Sequence, residues 1–395
     1  MNFAFSKEEE AFRQEVRDWL NAEIPPMWSE IRPGMWVETD ESWAMAREFE
    51  RRMGEKGWWA ANYPPEYGGI NATFMQQLII HEERAALVAP STWNEMIGQW
   101  VGATLMLYGT EEQKRKYLPM IGKAEVVLCL GYSEPGAGSD LAGVQTRAVE
   151  DGDDFVINGQ KIFTTLAHNA DYCWLVARTD PNVPKHQGIS LFLVEMKTPG
   201  ITVRPLINIV RSHHFNEVFF DDVRVPRADL VGEKNRGWAY LTTALNFERS
   251  GIALPTGMNR TITELARYAK TTLGDGGTLA DDPIVQQKLA EMATENEVLR
   301  LLCYRVAWLQ SKGLVPSWEA SVSFLFGNEV LRHIARTGME ILGPYGQLKR
   351  GSKWAPLGGL FENLYLGSLV GGIGGGSNEI QRNLIAHLGL GLPRG

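Results

Sequence analysis

Cysteine is scarce in this chain. Three occur in 395 residues (Cys129, Cys173 and Cys303), and they form no CxxC pair. That usage suits a reducing cytoplasm, the expected location. Long apolar runs are absent too, so no membrane span is expected. Charges arrive by position 7 of "MNFAFSKEEEAFRQEVRDWL", and no apolar signal core precedes them. Basic charge is in deficit: 39 Lys and Arg stand against 47 Asp and Glu, a net charge of −8. A nucleic-acid partner wants a basic face and is excluded. A phosphate-bearing small ligand is not, because one local basic group or helix N-terminus suffices. The seven histidines are scattered. "HEER" at His81 has no second histidine four residues on, so a zincin is excluded. His213–His214 reads as a surface or loop pair rather than a ligand cluster, and no metal is expected.

What is present is ordinary in bulk. A hydrophobic content of 44% and a charged content of 22% describe a soluble globular chain long enough for two or three domains. The first third has helical period: in "SKEEEAFRQEVRDWLNAEI", Phe12, Val16, Trp19 and Leu20 share a face. Ser6 is the expected N-cap, with Glu9 three residues on. From about Glu125 the period shortens. "EVVLCLGYS", two strands around an Asp151-Gly152 turn, "DYCWLVARTD", "GISLFLVEMK", "ITVRPL" and "NEVFFDDVRV" predict a compact β module of about a hundred residues. After "VGEKNRGW" the helical period returns. No βαβ rhythm appears, so the class is α+β without a doubly wound sheet.

Three stretches carry possible chemistry. "GYSEPGAGSD" (131–140) begins like a nucleophile elbow, but Pro135 replaces the second glycine; it then begins like a dinucleotide fingerprint, but Leu141 stands at the third. A plain turn and a loop whose N–H groups meet a phosphate or polar ring edge both remain open. In "TTALNFERSGIAL", helical spacing puts Glu248 beside Ala244, Leu245, Gly251 and Ile252, with Arg249 pointing elsewhere. Such a carboxylate is either a desolvated base or the partner of an arginine on another helix. "GGIGGGSNEIQR" (371–382) packs five glycines into six residues before a helix capped by Ser377, with Ile380, Leu384 and Leu388 as its buried face and Gly389 as its end. Glycine so dense suggests that backbone approaches a ligand there.

Taken together, "GWWAANYPPEYGG", "GYSEPGAGSDLAGVQTRA", "INGQKIFTT", "FFDDVRVP" with "LVGE", and "GSNEIQR" resemble the acyl-CoA dehydrogenase family over essentially the whole chain. The resemblance implies an N-terminal helical bundle over 1–124, a central β-barrel over 125–235 and a C-terminal four-helix bundle over 236–395. It implies FAD and an acyl-CoA thioester dehydrogenated to a trans-2-enoyl-CoA, with electron-transfer flavoprotein as acceptor. Carried over residue by residue, Tyr132 and Ser133 lie at the flavin's polar edge, and Gly138 and Ser139 by the cofactor and the CoA arm. Phe163 covers the ring, where many relatives have Trp, Thr165 reaches N5, and Thr164 belongs to the cofactor set. Ser377 and Glu379 complete the cofactor set, and Asn246 and Arg249 face the CoA side.

Many members carry their base two residues before the final Ser or Thr, which here is Gly375. A second branch carries it on the first helix after the barrel, where Glu248 stands. Glu248 is therefore the expected base, with the Gly375 N–H holding the enolate oxygen.

Two departures concern the FAD phosphates. The family's "RxxFG" segment is not recognisable, and Glu340 replaces a Gln. The chain looks most like subunits of α2β2 dehydrogenases acting on steroid side-chain CoA thioesters, and like the large subunit of pimeloyl-CoA dehydrogenase. Homodimer or homotetramer and α2β2 heterotetramer thus stand side by side. The competing readings are a half-site or non-catalytic subunit and an acyl-CoA oxidase.

Overall fold

The computed structural model describes residues 5–31, 39–248, 253–274 and 277–393. Six helices come first: α1 (Lys7–Glu23), α2 (Pro26–Ile31), α3 (Asp40–Glu55), α4 (Phe74–Leu87), α5 (Asn94–Tyr108) and α6 (Glu111–Gly122). Eight strands follow: β1 (Leu128–Gly131), β2 (Arg147–Asp151), β3 (Asp154–Lys161), β4 (Tyr172–Arg178), β5 (Ile189–Glu195), β6 (Ile201–Leu206), β7 (Phe215–Pro226) and β8 (Leu230–Val231). Helices then return as α7 (Gly237–Glu248), α8 (Ala253–Thr271), α9 (Pro283–Ser311), α10 (Trp318–Leu342), α11 (Leu360–Gly371) and α12 (Asn378–Leu384).

Local chemistry starts these helices. Glu9 N–H donates to Ser6 Oγ at 3.1 Å while Ser6 N–H donates to the Glu9 carboxylate at 2.7 Å, the reciprocal cap expected from sequence. Thr39, Thr73 and Thr110 open α3, α4 and α6 the same way.

The chain divides into two compact units. One comprises Met1–Met35, Thr73–Ala89 and Arg249–Gly395. Its core joins Leu78 of α4 to Leu265, Leu299, Ile334 and Phe361 from the later helices. Arg13 and Arg17 of α1 reach Glu83 at 2.8 Å, Arg13 also meets Glu82 at 2.9 Å, and Tyr304 Oη donates to Glu82 at 2.6 Å. Burial works to raise the Glu83 carboxyl, but Arg17 and Arg13 outweigh it and hold it below the usual range.

The other unit comprises Trp36–Ala72 and Pro90–Glu248. Its sheet runs β6-β7-β3-β2-β4-β5-β8, with β1 parallel to β4. The inner strands β4 and β5 are buried along nearly their whole length, which is why "CWLVA" and "LFLV" are continuous apolar runs, whereas edge strand β6 alternates. Asp151 pairs with Asp154, so the β2–β3 turn is Gly152-Asp153, one residue later than the sequence suggests. Gly152 supplies its positive φ of 62°. Asn94 on α5 fixes where β1 begins: Nδ2 donates to Val126 O and Oδ1 accepts from Leu128 N–H, both at 2.9 Å.

Candidate active site

The "GYSEPGAGSD" loop leaves β1 and is tied down by one buried ion pair. Lys161, at the end of β3, is 0% exposed. Its Nζ donates to Glu134 Oε1 at 2.8 Å and to Tyr132 O at 3.0 Å. Glu134 in turn accepts from Gln145 N–H (2.6 Å) and Thr146 N–H (2.9 Å), drawing the two ends of the loop together. Burial pulls the Lys161 ammonium down to about 8 against the pull of Glu134. Burial pushes Glu134 up, and Lys161 together with the Gln145 and Thr146 hydrogen bonds more than reverses it, leaving the carboxyl below its ordinary value. Sequence reasoning missed this pair. A lysine inside "INGQKIF" has no period of its own to mark it; only the pairing of strands brings it beneath the loop.

The same pairing joins two predicted motifs. Ile162 N–H donates to Ser133 O at 2.9 Å, setting Tyr132–Ser133 beside Phe163–Thr165. Phe163 is 59% exposed with φ +56°, and its ring meets Phe215 edge-on at 6.2 Å. Thr164 is 0% exposed and its Oγ1 has no hydrogen-bond partner; Thr165 is half-buried. Gly138 and Ser139 are exposed, and a Cβ built on Gly136 or Gly138 would meet nothing within 4 Å. Nearby, His213 and His214 lie in the loop before β7, in line with the surface-or-loop reading; His214 is buried, while His213 is exposed and stacks on His168 with ring centres 4.0 Å apart.

Of the remaining predicted residues, Gly375, Ser377 and Glu379 belong to the other unit, whereas Asn246 and Glu248 close the sheet-bearing one. Gly375 and Gly376 have φ of +70° and +93°. Ser377 caps α12 by accepting from Ile380 N–H at 3.4 Å. Glu379 is exposed, and the α12 backbone and the Ser377 hydroxyl hold its carboxyl low. The expected apolar face is corrected: Ile380 and Leu384 are half-buried and Leu388 is 50% exposed, while Asn378 and Gln381 are buried. Glu340, where a Gln was expected, accepts from Lys288 Nζ at 2.7 Å, with Arg336 at 4.0 Å. The backbone of Asn246 and Glu248 lies on α7, but their side chains are outside the described part, and Arg249 lies outside the described residues altogether. Among the described residues no cluster suited to a metal is found, and no helix is long and apolar enough to cross a membrane.

Helices before and after a mixed sheet, with two motifs joined at its strand ends, match a known group of oxidoreductases. Residues 6–125, 129–223 and 235–389 match the N-terminal, middle and C-terminal domains of acyl-CoA dehydrogenase. The chain belongs to that family. It is 38% identical over 401 residues to acyl-CoA dehydrogenase FadE26 of Mycobacterium tuberculosis, covering 100% of this chain and 99% of that one. Among solved structures it is similar to the ChsE4–ChsE5 complex of the same organism (TM-score 0.89, 38% identity, 100% of both chains). It is also similar to the Tcur3481–Tcur3483 steroid ACAD (TM-score 0.89, 36% identity, 100% of both chains).

Membership makes the chain an oxidoreductase of FAD-dependent acyl-CoA dehydrogenation. The residues present suit that cofactor: an exposed aromatic face at Phe163, a buried threonine oxygen without a partner, and open backbone at Gly136 and Gly138.

Proposed function

We propose that this chain converts an acyl-CoA thioester to its trans-2-enoyl-CoA, with Glu248 removing the α-proton. Bound FAD would supply the acceptor for the β-hydride. Tyr132, Ser133, Gly138 and Ser139 would meet the flavin's polar edge and the CoA arm; Phe163, Thr164 and Thr165 would line its ring. Ser377 and Glu379 would complete the cofactor set, and Asn246 and Arg249 would face CoA. The Gly375 N–H would hold the thioester oxygen as negative charge develops on it. The domains would divide at 1–124, 125–235 and 236–395. The observation that carries this reading is the 2.9 Å hydrogen bond from Ile162 N–H to Ser133 O, which makes one surface of two motifs thirty residues apart in sequence.

Glu248→Gln is the direct test. The variant should keep its flavin and lose at least about 100-fold in the rate of flavin reduction by acyl-CoA, the low end of what a general base contributes. Reduction at the wild-type rate removes Glu248 from the mechanism.

A second reading concerns assembly. Glu340 takes up Lys288 and Arg336 at the position where a phosphate clamp was expected. That supports an α2β2 arrangement with a related subunit over a homodimer or homotetramer. Full flavin occupancy in the chain purified alone would overturn it. On the likeness to a steroid ACAD, a ring-bearing acyl-CoA should bleach the flavin fastest in a panel with straight, branched and dicarboxylic chains. Electron-transfer flavoprotein is the acceptor to supply in such assays.

A further inference from the structure

Asn216 opens β7's pairing with the Phe163–Thr165 segment, and it grips one residue by both ends. Its backbone oxygen accepts from Thr164 N–H at 2.9 Å, and its Nδ2 donates to Thr164 O at 3.0 Å. The side chain is 0% exposed. Thr164 O can only accept, so the amide nitrogen must face it; the flipped amide would press two oxygens together. That orientation settles two imidazoles. The second Nδ2 proton goes to His168 Nδ1 at 3.1 Å, leaving the His168 proton on Nε2. Oδ1, 2.8 Å from His213 Nε2, accepts a proton that must reside there. All three polar positions of the amide are filled, and the two rings stack with a 23° tilt.

The segment needs such a grip. Phe163 and Leu166 have φ of +56° and +63° without being glycine, and strained backbone of this kind persists only where its surroundings over-determine it. Thr164 lies between them. We propose that Asn216, braced by the His168–His213 stack, is a positioning residue that holds Phe163–Thr165 in the conformation presented to the flavin; the inference rests on the cofactor reading given above. His168 takes part only while neutral, since a proton on Nδ1 removes the acceptor. Burial and the neighbouring His213 hold its pKa at about 4. The other titratable groups around it are His214 and, on the rim of a cavity of about 440 Å³ shared with His168, His213 and Asn216, Lys197.

Two variants test this. Asn216→Leu removes every side-chain bond; Asn216→Asp keeps the acceptor for His213 but loses both donors, and it decides the matter should the leucine variant fail to fold. In flavin-free protein, imidazole titration by NMR should show His168 of Asn216→Asp titrating higher than in wild type, because a carboxylate in place of the Nδ2 donor favours the protonated ring. Amide exchange at residues 163–166 should quicken. In the flavin-loaded protein, the visible band should shift and FAD should dissociate about tenfold more readily, the effect of one lost buried hydrogen bond. Faster exchange with unchanged flavin spectrum, reduction potential and FAD affinity would overturn the positioning role while leaving the cofactor reading intact. Wild-type protein that takes up no FAD, with or without a partner subunit, would bring down the cofactor reading and this inference with it.

Discussion

Two glycine-rich stretches, 131–143 and 371–376, look alike in sequence and differ in cause. In the second, the backbone itself demands glycine at two positions. Gly375 and Gly376 need positive φ, and a Cβ at 372, 375 or 376 would stand 2.0 Å from Arg332 Nη2, 3.1 Å from Phe324 Cζ and 2.9 Å from Gln381 Nε2. In the first, Gly136 and Gly138 have ordinary φ and open space where a side chain would go. No neighbour among the described residues explains them, and the space beside them is open to whatever binds. Dense glycine is thus a question about surroundings, and only coordinates separate the internal answer from the external one.

The largest expected effect comes from breaking the clamp under the first stretch. Lys161→Met leaves the Glu134 carboxylate buried without its cation, and thermal or denaturant unfolding should show a loss of about 3–5 kcal/mol. A loss below 1 kcal/mol would mean that the backbone amides alone hold the loop. Next is Gly376→Ala, which forces a Cβ into φ +93° and should cost about 1–3 kcal/mol. A neutral result in the same melting assay would return the second stretch to the ligand-driven class.

Acid offers a subtler contrast. The folded Glu134 carboxyl lies below its ordinary 4.5, so its contribution is complete above that pH and disappears as pH falls through the lower folded value. Hydrogen exchange in residues 134–146 should therefore rise as pH falls below 4.5, ahead of residues 371–379, whose Glu379 is solvent-exposed. Equal onset in both segments would dissolve the distinction. Smallest of all, Gly138→Ala should change stability by less than about 0.5 kcal/mol, yet weaken FAD binding measurably if cofactor passes there.

Much of the fold was legible because its signals are local. Ser6 and Glu9 announce their cap within four residues, and the shift from helical to strand period near Glu125 marks the sheet. The inner strands β4 and β5 betray themselves by unbroken apolar runs. The β2–β3 turn slipped by one residue because Asp151, Gly152 and Asp153 are all good turn formers, and cross-strand pairing chose among them. Leu388 was misplaced for a related reason: α12 ends at Leu384 and the chain widens into a π turn over Ile385–Gly389, so a period extrapolated past the helix points the wrong way. Lys161, Glu134 and Asn216 were invisible, since each is polar, buried and satisfied mainly by partners on distant segments, up to 52 residues away.

The amino-acid order alone settled the class of elements, their succession and the family likeness, because caps, periodicity and motif spacing act over a few residues and need no partner. Tertiary structure alone decided which glycines the protein requires for itself, how a buried lysine closes a loop and why one asparagine must face one way. Those outcomes depend on desolvation and hydrogen-bond satisfaction between distant segments, quantities that exist only once the chain has folded.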